Sequence, residues 1–500
     1  MLRTGGLLGP ASMGGSPLRT GGSATRLSVF PQQDSHLRET GTLRDAQKGI
    51  LSVQKRRALR NWLPRVVVKV EGGEAWQEIL TRMAPAFTAP SFALFAQLIS
   101  AWILLPGRHT ITRMWRVMDP ESRRAHDAYH RFVRCGRWSL SGFWRLLALL
   151  VVPFFYPVGV IPLTVDDTVA KKTGHKISGA GIFRDAVRST RNKVVYAWGL
   201  NIVLLTLPVH APWGGEPLGL PINARIYRKD AGKTHPDLVA EMVQELADWF
   251  PDWFHLCGDG AYAPLAGRNL RRTDVTSRLR RDAALYELPA PRRKGQRGRP
   301  AKKGQRLPSL AQMADALAPE DWTPASVAVR GAVQELLLYT RKVLWYDVLP
   351  DRQVLLVIVR DPQGVQPDDY FFTTRLEDSG AQVVTRYADR WSIEDTFRST
   401  KQFLGLEDPQ TRKADGPERA VALAFWTYSA AWLWYIRVHG TERTWTSLPW
   451  YSQKRTPSFL DALAALRKAL WQQRIFAGSA QSAVLSKTQD MLLEVLATAA

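Results

Sequence analysis

Apolar positions recur along the chain with two different periods, and their order predicts an α/β fold. Residues 161–165 (IPLTV) form an apolar, partly β-branched run, which is typical of a buried strand. Strand patterns follow at residues 194–207 and 220–227, and a helical period then covers residues 236–249. Residues 255–258 indicate another short strand. Strands in series, then a helix and a further strand, predict a sheet covered by helices.

Further apolar segments indicate additional strands in the second half of the chain. They are enriched in β-branched and aromatic residues, as strands are. Their bounds are residues 334–341, 342–349, 354–360 and 370–374. The chain therefore holds more strands than one small sheet needs.

Helical patterns flank the strands on both sides. Residues 74–150 indicate several helices with tryptophan-rich apolar faces, along which arginine recurs. Residues 417–438 predict an apolar helix that packs on the sheet, and residues 458–475 predict another helix. Residues 1–60 are rich in Gly, Ser and Arg without a period, which favours disorder. We interpret this stretch as the product of a start codon upstream of the natural one, with Met83 as the natural start, and a flexible basic arm that touches DNA is the functional alternative.

Composition narrows the choice of partner. The chain has 500 residues, with 68 Lys and Arg against 45 Asp and Glu, a net charge of +23. A charge of this size favours a polyanionic partner, of which nucleic acid is the first candidate and an anionic membrane the second. The two cysteines, Cys135 and Cys257, exclude a disulfide framework and a Cys-rich zinc site. We expect both to be reduced thiols of a cytoplasmic protein.

One uncharged segment has the length of a membrane span. Residues 146–165 carry no charged side chain. However, Pro153, Pro157 and Pro162 interrupt the segment, and it runs directly into the first predicted strand. We therefore interpret it as a helix end, a proline-rich turn and a buried strand, and we expect no membrane association.

Acidic residues follow two of the predicted strands. Asp166 and Asp167 come directly after the first strand, and Asp259 stands between two glycines after the short strand at residues 255–258. The glycines favour unusual backbone angles and the close approach of a ligand. Each motif alone is weak, because an Asp at a strand end is also typical of an ordinary turn or helix cap.

A polar quartet lies further along, in RYADRWSIEDTFRSTKQFLG. Its members are Tyr387, Arg390, Glu394 and Lys401. If this segment is one helix, with ~100° per residue, the four side chains share an arc of about 60°. A solvated face with an Arg–Glu pair, worth about 0.2–0.5 kcal/mol, is the simple alternative. A carboxylate beside two cations and a phenol instead favours a metal-bound site that handles phosphate.

The spacing Y-x2-R-x3-E-x6-K resembles the signature of a group of DDE transposases from bacterial insertion sequences, and all four positions match. The resemblance implies an RNase H-like α/β catalytic core with a β-rich insertion before the catalytic Glu, plus helical N- and C-terminal regions. It also implies a catalytic, metal-binding triad of Asp167, Asp259 and Glu394. Asp167 is favoured because Asp-Thr is usual in the family, while Asp166 leaves the first position open.

The implied chemistry suits these residue types. Two Asp and one Glu are hard oxygen ligands for Mg²⁺ or Mn²⁺. Two such ions about 4 Å apart activate a nucleophile and stabilise the leaving oxygen of a phosphodiester. The nucleophile is water in strand nicking and a DNA 3′-OH in strand transfer. Tyr387, Arg390 and Lys401 are implied to hold phosphates near the transposon end.

Residues 291–306 form the most basic stretch, in which half of the residues are Lys or Arg among Gly and Pro. Arg297, Arg299, Lys302 and Lys303 are our candidates for contact with DNA, and a solvated loop is the alternative. Its Gly-Arg-Pro sequence resembles arms that bind the minor groove. Such contacts contribute affinity and salt dependence more than sequence recognition.

The patterns and the resemblance together divide the chain into six parts. These are an extension, a helical DNA-binding region, the first part of the core, the insertion with its basic loop, the catalytic Glu helix and a C-terminal helical region. In that order they cover residues 1–60, 74–155, 156–275, 276–375, 376–415 and 416–500.

The implied function is excision and insertion of an insertion sequence at its terminal inverted repeats. The expected partners are double-stranded DNA of the transposon ends and target, and a second copy of the chain in a homodimeric synaptic complex. The expected location is the bacterial cytoplasm, at the nucleoid. The alternatives are an inactive transposase-derived DNA-binding protein, an RNase H-like nuclease that cuts without joining ends, and a membrane-associated basic protein.

Overall fold

The computed structural model describes residues 72–190, 192–291, 298–445, 447, 452–476, 491–493 and 495–497. The stretch predicted to be disordered, residues 1–60, and the candidate Arg297 lie outside these ranges. In the described part of the chain, five α-helices precede the first strand. They are α1 Gly72–Thr81, α2 Ala89–Leu104, α3 Ile111–Met118, α4 His126–Cys135 and α5 Leu140–Phe155.

Local capping sets the starts of two of these helices. The hydroxyl of Thr110 accepts a hydrogen bond from the backbone N–H of Arg113 at the start of α3. Ser139 does the same for Gly142 at the start of α5. Each cap satisfies one of the free N–H groups of the first turn, a contribution of about 1 kcal/mol.

A ten-stranded sheet forms the centre of the molecule. The helix α6 His235–Trp249 connects its fourth and fifth strands, and its start carries a capping box of Thr234 and Asp237. The strands are β1 Ile161–Lys171, β2 Gly181–Arg184, β3 Tyr196–Val209, β4 Leu218–Tyr227, β5 Phe254–Gly258, β6 Thr273–Arg278, β7 Thr323–Val329, β8 Ala332–Leu344, β9 Gln353–Arg360 and β10 Asp369–Thr373.

Five of these strands, β1, β3, β4, β5 and β6, have the RNase H-like arrangement. β3 pairs antiparallel with β1 on one edge and with β4 on the other, and β2 pairs with the beginning of β3. β1 then pairs parallel with β5, and β5 pairs parallel with β6. The parallel step needs a long crossover, which α6 supplies. The predicted α/β fold with an RNase H-like core is confirmed.

The strands of the insertion continue the same sheet. β10 pairs with β6, and β9, β8 and β7 follow in that order. The prediction of two separate strands at residues 334–341 and 342–349 is wrong. A single strand, β8, pairs with β9 from Leu337 to Leu344, and the chain then turns. The apolar pattern alone indicated a break between residues 341 and 342, but uninterrupted pairing with β9 continues the strand across it.

Helices after the insertion complete the fold. They are α8 Gly380–Asp389, α9 Ser392–Phe403, α10 Gly416–His439 and α11 Phe459–Phe476, while the short helix α7 Leu310–Asp315 lies within the insertion. α10 contacts β4, α1, α4 and α5, so its apolar surface joins the sheet to the N-terminal helices. Trp426 on α10 is fully buried and meets Phe95 of α2 edge-on, with ring centroids 5.1 Å apart.

The uncharged segment of residues 146–165 is divided between α5 and β1, as interpreted from its prolines. Among the described residues no single helix is long and apolar enough to cross a bilayer. The pair α4 and α5 reaches that length and composition only jointly, and the two helices are bent by 88°.

Candidate active site

The two adjacent aspartates lie inside β1, not after it. β1 continues past the apolar run to Lys171, with Asp166 opposite Leu204 and Asp167 opposite Val203 of β3. The expected strand end at Val165 is therefore wrong, because hydrogen bonds to β3 extend the strand through polar residues. Successive side chains of a strand point to opposite faces, so the two carboxylates diverge.

Asp166 is held by a buried cation. Its Oδ2 accepts a hydrogen bond from Nη1 of Arg390 at 2.7 Å, and its Oδ1 accepts one from the backbone N–H of Asp167 at 2.9 Å. Burial raises the pKa of Asp166 to about 7, with Arg390 opposing the rise and the charges of Asp259 and Asp167 adding to it. The side chain of Arg390 is only 2% exposed, so this ion pair is largely shielded from water.

Asp167 has a different set of partners. Its Oδ1 accepts from the hydroxyl of Tyr262 at 3.2 Å, and its Oδ2 accepts from Nδ2 of Asn201 at 3.1 Å. Nε2 of His235 lies 4.0 Å from the same Oδ2. Tyr262 follows β5, Asn201 is on β3 and His235 begins α6. These contacts place the carboxylate of Asp167 on the face of the sheet that carries α6.

Asp259 follows the last residue of β5. Its Oδ1 accepts from the backbone N–H of Ala261 at 2.9 Å, and its carbonyl accepts from the hydroxyl of Ser277 at 2.7 Å. The expected reason for its flanking glycines needs correction, since neither has a left-handed φ. A Cβ on Gly258 would stand 2.7 Å from Cβ of Tyr262, so glycine at this position admits the tyrosine.

The segment of the polar quartet is two helices and not one. α8 ends at Asp389 and α9 begins at Ser392, with Arg390 and Trp391 between them. The backbone N–H of Arg390 bonds to the carbonyl of Tyr387 at 3.3 Å, and that of Glu394 to the carbonyl of Trp391 at 3.0 Å. These bonds span three residues, so the junction is a tight turn and the single-helix arc does not apply.

Besides Arg390, which contacts Asp166 of β1, two members of the quartet contact the sheet. The buried ring of Tyr387 lies 4.5 Å from that of Phe371, and burial raises the pKa of its hydroxyl. Nζ of Lys401 donates to Oγ1 of Thr168 at 2.7 Å and to the carbonyl of Val169 at 3.0 Å. Lys401 therefore fastens α9 to the end of β1.

The guanidinium of Arg390 lies between two aromatic rings. It stands 5.2 Å from the ring centroid of Tyr387 and 5.0 Å from that of Trp391. Its Nε is buried and has no hydrogen-bond partner among the described residues. One donor of this cation thus remains for a further acceptor.

Glu394 lies in the first turn of α9 and is exposed as a residue. Partial desolvation of its carboxylate still raises its pKa, and the charges of Arg390 and Arg330 oppose the rise. The structure thus places Glu394 near Arg390, the residue that binds Asp166. Arg330 also stands 5.6 Å from the ring of Trp391, which brings the insertion close to this turn.

The donor set suits a hard divalent cation by its chemistry. Asp259, Glu394 and a β1 aspartate provide carboxylate oxygens, the ligands that Mg²⁺ and Mn²⁺ prefer. Among the described residues, however, no three His, Cys, Asp or Glu side chains stand close enough to hold one ion together. The assignment of Asp167, Asp259 and Glu394 as metal ligands stays a prediction.

The basic loop, residues 291–306, contains three of the described candidates for contact with DNA. Arg299, Lys302 and Lys303 are exposed. Nζ of Lys303 stands 4.0 Å from the ring centroid of Tyr286 and 4.6 Å from that of Tyr346. Lys303 thus fastens the loop to the insertion, while Arg299 and Lys302 offer their charges to solvent.

Sequence reasoning missed several residues around the carboxylates. They are Asn201, Tyr262, His235, Arg330 and Trp391. Tyr262 and Trp391 had a signal, because each lies within three positions of a predicted acidic residue. The other three come from distant segments, and only the folded chain brings them together.

A family profile described as DDE superfamily endonuclease matches residues 82–340, just over half of the chain. The chain belongs to the DDE superfamily endonucleases. The match contains the positions of Asp166, Asp167 and Asp259 and ends before Glu394, so the insertion-sequence signature remains a resemblance. Endonucleases of this superfamily depend on a divalent metal ion.

One solved structure with partial likeness is a synaptic complex of piggyBac transposase with hairpin DNA. It is 13% identical, the alignment covers 87% of this chain and 83% of that one, and the TM-score is 0.34. No curated protein sequence matches this chain.

Proposed function

We propose that this DDE endonuclease is the transposase of a DNA insertion sequence, which cuts DNA at terminal inverted repeats and joins the freed ends to a target. The observation that carries the proposal is the contact between Arg390 and Asp166 at 2.7 Å. It joins the tight turn of the transposase-like signature to the strand that holds the first acidic motif. The resemblance of the signature supplies the class of reaction.

The carboxylates on β1, after β5 and on α9 would hold the metal. Asp259, Glu394 and one aspartate of β1 are the ligands, and Mg²⁺ or Mn²⁺ is the ion. When bound, such ions activate the attacking oxygen and stabilise the leaving oxygen of a phosphodiester. No residue of the chain is required to form a covalent bond to DNA.

Cations near the carboxylates would bind and orient the DNA backbone. Arg390 would act on phosphates through its charge, since its guanidinium is buried against Asp166. Lys401 fastens α9 to β1, and the ring of Tyr387 lies 5.2 Å from the guanidinium of Arg390. The exposed Arg299 and Lys302 would contact phosphates further away and add salt-dependent affinity.

The partners and the location follow from the same proposal. A net charge of +23 suits double-stranded DNA of the element's ends and of the target. Joining two ends to one target requires that they meet, which favours a homodimer in a synaptic complex. Access to chromosomal DNA places the enzyme in the bacterial cytoplasm, at the nucleoid.

The test is a cleavage and joining assay with the purified full chain, Mg²⁺ and DNA that carries the inverted repeats flanking its gene. Glu394→Gln removes the ligand charge at nearly constant shape. Asp395→Asn is the matched control on the next residue of α9. We expect the wild type and Asp395→Asn to cut at the repeats and join ends, and Glu394→Gln to bind DNA without cutting.

Two other results would replace the proposal. Cutting without joining in every condition identifies a nuclease that does not transpose. Binding of the repeats by the wild type without any metal-dependent cutting identifies a DNA-binding protein derived from a transposase.

A further inference from the structure

We infer that Asp166, and not Asp167, is the β1 aspartate that contributes to the metal site, and that Asp167 has a structural role. The inference rests on the proposed function and specifies one residue of its site. It departs from the family pattern, which implies that Asp167, the residue before Thr168, is the metal ligand on β1. Its basis is the face of the sheet that each carboxylate occupies.

The pairing of β1 with β5 decides which aspartate accompanies Asp259. The two strands run parallel, with Thr164 opposite Cys257 and Val165 opposite Gly258. The next residue is Asp166 on β1 and Asp259 directly after the end of β5, where it continues the same register. Residues opposite each other in a sheet share a face, so Asp166 and Asp259 are on the same side.

The helices of the signature cover that same face. Arg390, at the junction of α8 and α9, donates to Asp166, and Lys401 of α9 donates to Thr168, two residues further along β1. Asp166 and Thr168 are two residues apart on β1, so their side chains lie on the same face of the sheet. The side chain of Asp167 lies on the opposite face, so its carboxylate points away from the helix that carries Glu394.

The partners of Asp167 account for its presence without a metal. The hydroxyl of Tyr262 and Nδ2 of Asn201 each donate to one of its oxygens. Tyr262 packs so closely over Gly258 that no larger residue fits there. Asp167 therefore anchors the loop that follows Asp259 from the opposite face of the sheet.

Direct binding of Mn²⁺ to the purified full chain tests the inference without relying on activity. The signal of free Mn²⁺ in electron paramagnetic resonance falls when the ion binds protein, so a titration gives the affinity. The variants are Asp166→Asn and Asp167→Asn, with Asp395→Asn as the control for loss of one negative charge. Strand cleavage is measured in parallel on the same preparations.

We expect Asp166→Asn to weaken Mn²⁺ binding more than about 100-fold, beyond the 10–100-fold typical of residues that only support a ligand. Asp167→Asn should bind Mn²⁺ within about threefold of the wild type, as the control does, because its carboxylate faces away. Asp167→Asn should also melt at a lower temperature, since it weakens the contact with Tyr262.

The opposite pattern overturns the inference. If folded Asp167→Asn loses Mn²⁺ while Asp166→Asn keeps it, the family assignment is right. Should Asp166→Asn fail to fold, the behaviour of Asp167→Asn alone still decides between the two residues. A wild type that neither binds Mn²⁺ nor cuts DNA contradicts the proposed function instead, which separates the two failures.

Discussion

α9 and α10 both contact β4, but the two regions to which they belong bury different kinds of side chain. α10 is buried along nearly its whole length and is mostly apolar, with Trp426 and Trp432 at its centre. The region of α8 and α9 is interrupted at Arg390 and buries the guanidinium of this residue and several hydroxyls.

We propose that the difference separates a structural element from one that carries chemistry. Each fully buried large apolar side chain of α10 contributes about 1.5–3 kcal/mol. A buried charge costs free energy unless a partner compensates it, and for Arg390 that partner is Asp166. We infer that the protein keeps this buried ion pair because its function requires it. We therefore expect substitutions in α8 and α9 to separate activity from stability, and substitutions in α10 to leave them coupled.

The largest effect is expected for Glu394→Gln. If Glu394 is a metal ligand, strand cleavage should fall about 1,000-fold or more, which corresponds to about 4 kcal/mol. The free energy of unfolding should change by less than about 0.5 kcal/mol, because the residue is exposed. Initial rates of cleavage and urea denaturation measure the two quantities. Equal cleavage by Glu394→Gln and Asp395→Asn would remove the distinction between the two regions.

The next effect is on stability, at Arg390. Arg390→Met leaves Asp166 buried without its partner, which should lower the free energy of unfolding by about 3–5 kcal/mol. Adding Asp166→Asn should restore part of the loss, because the unpaired charge is gone. Urea denaturation of both single variants and the double variant measures this coupling. Strictly additive effects would show that the ion pair is not the source of the cost.

Trp426→Ala provides the comparison in α10. The loss of this buried ring should lower the free energy of unfolding by about 3–5 kcal/mol, because it leaves a cavity. Removing a nearby charge should not restore this loss. Cleavage per folded molecule should stay at the wild-type level at a temperature where the variant is folded. A large fall in that specific rate would place α10 in the catalytic machinery, against our account.

A smaller effect is expected from acid. Burial lowers the pKa of His255 to about 3, and the charges of Arg386 and Arg375 act in the same direction. The unfolded chain takes up a proton below its ordinary pKa of 6.5 and the folded chain does not. Stability is therefore present above pH 6.5 and is lost as the pH falls, by about 1–2 kcal/mol between pH 7 and pH 5. Denaturation of the wild type and His255→Gln at both values measures this, and an equal loss in both would exclude His255.

The smallest effects belong to the basic loop. Arg299→Ala and Lys302→Ala should each weaken DNA binding modestly and reduce the slope of log K against log salt by about 0.9. Arg352→Ala, an exposed cation outside the loop, is the control. Fluorescence anisotropy at several salt concentrations gives the slopes. Unchanged slopes for both loop variants would assign the loop to solvent.

Much of the fold was predictable because its signals are local. The strand-helix-strand order around α6 is visible in the apolar pattern, and so is the buried length of α10. The joining of the insertion to the core sheet was not predictable. It depends on the pairing of β10 with β6, two strands far apart in the chain.

The sequence predicts the residue types of the candidate site but not their geometry. The end of the apolar run at Val165 concealed that β1 continues, and the face of each aspartate depends on that continuation. Helical spacing placed Tyr387 and Lys401 on one face, but the tight turn at Arg390 separates their helices. Partners such as Asn201 and Arg330 come from distant segments and leave no signal near the acidic motifs.

The most direct test of the central claim exchanges the chemistry of one ligand. Asp259→Cys replaces a hard oxygen with a soft thiolate, which Mg²⁺ binds poorly and Mn²⁺ tolerates better. If the carboxylate of Asp259 binds the metal that drives strand cleavage, this variant should cut with Mn²⁺ and fail with Mg²⁺, while the wild type cuts with both. Equal cutting of the variant in the two metals would contradict the account.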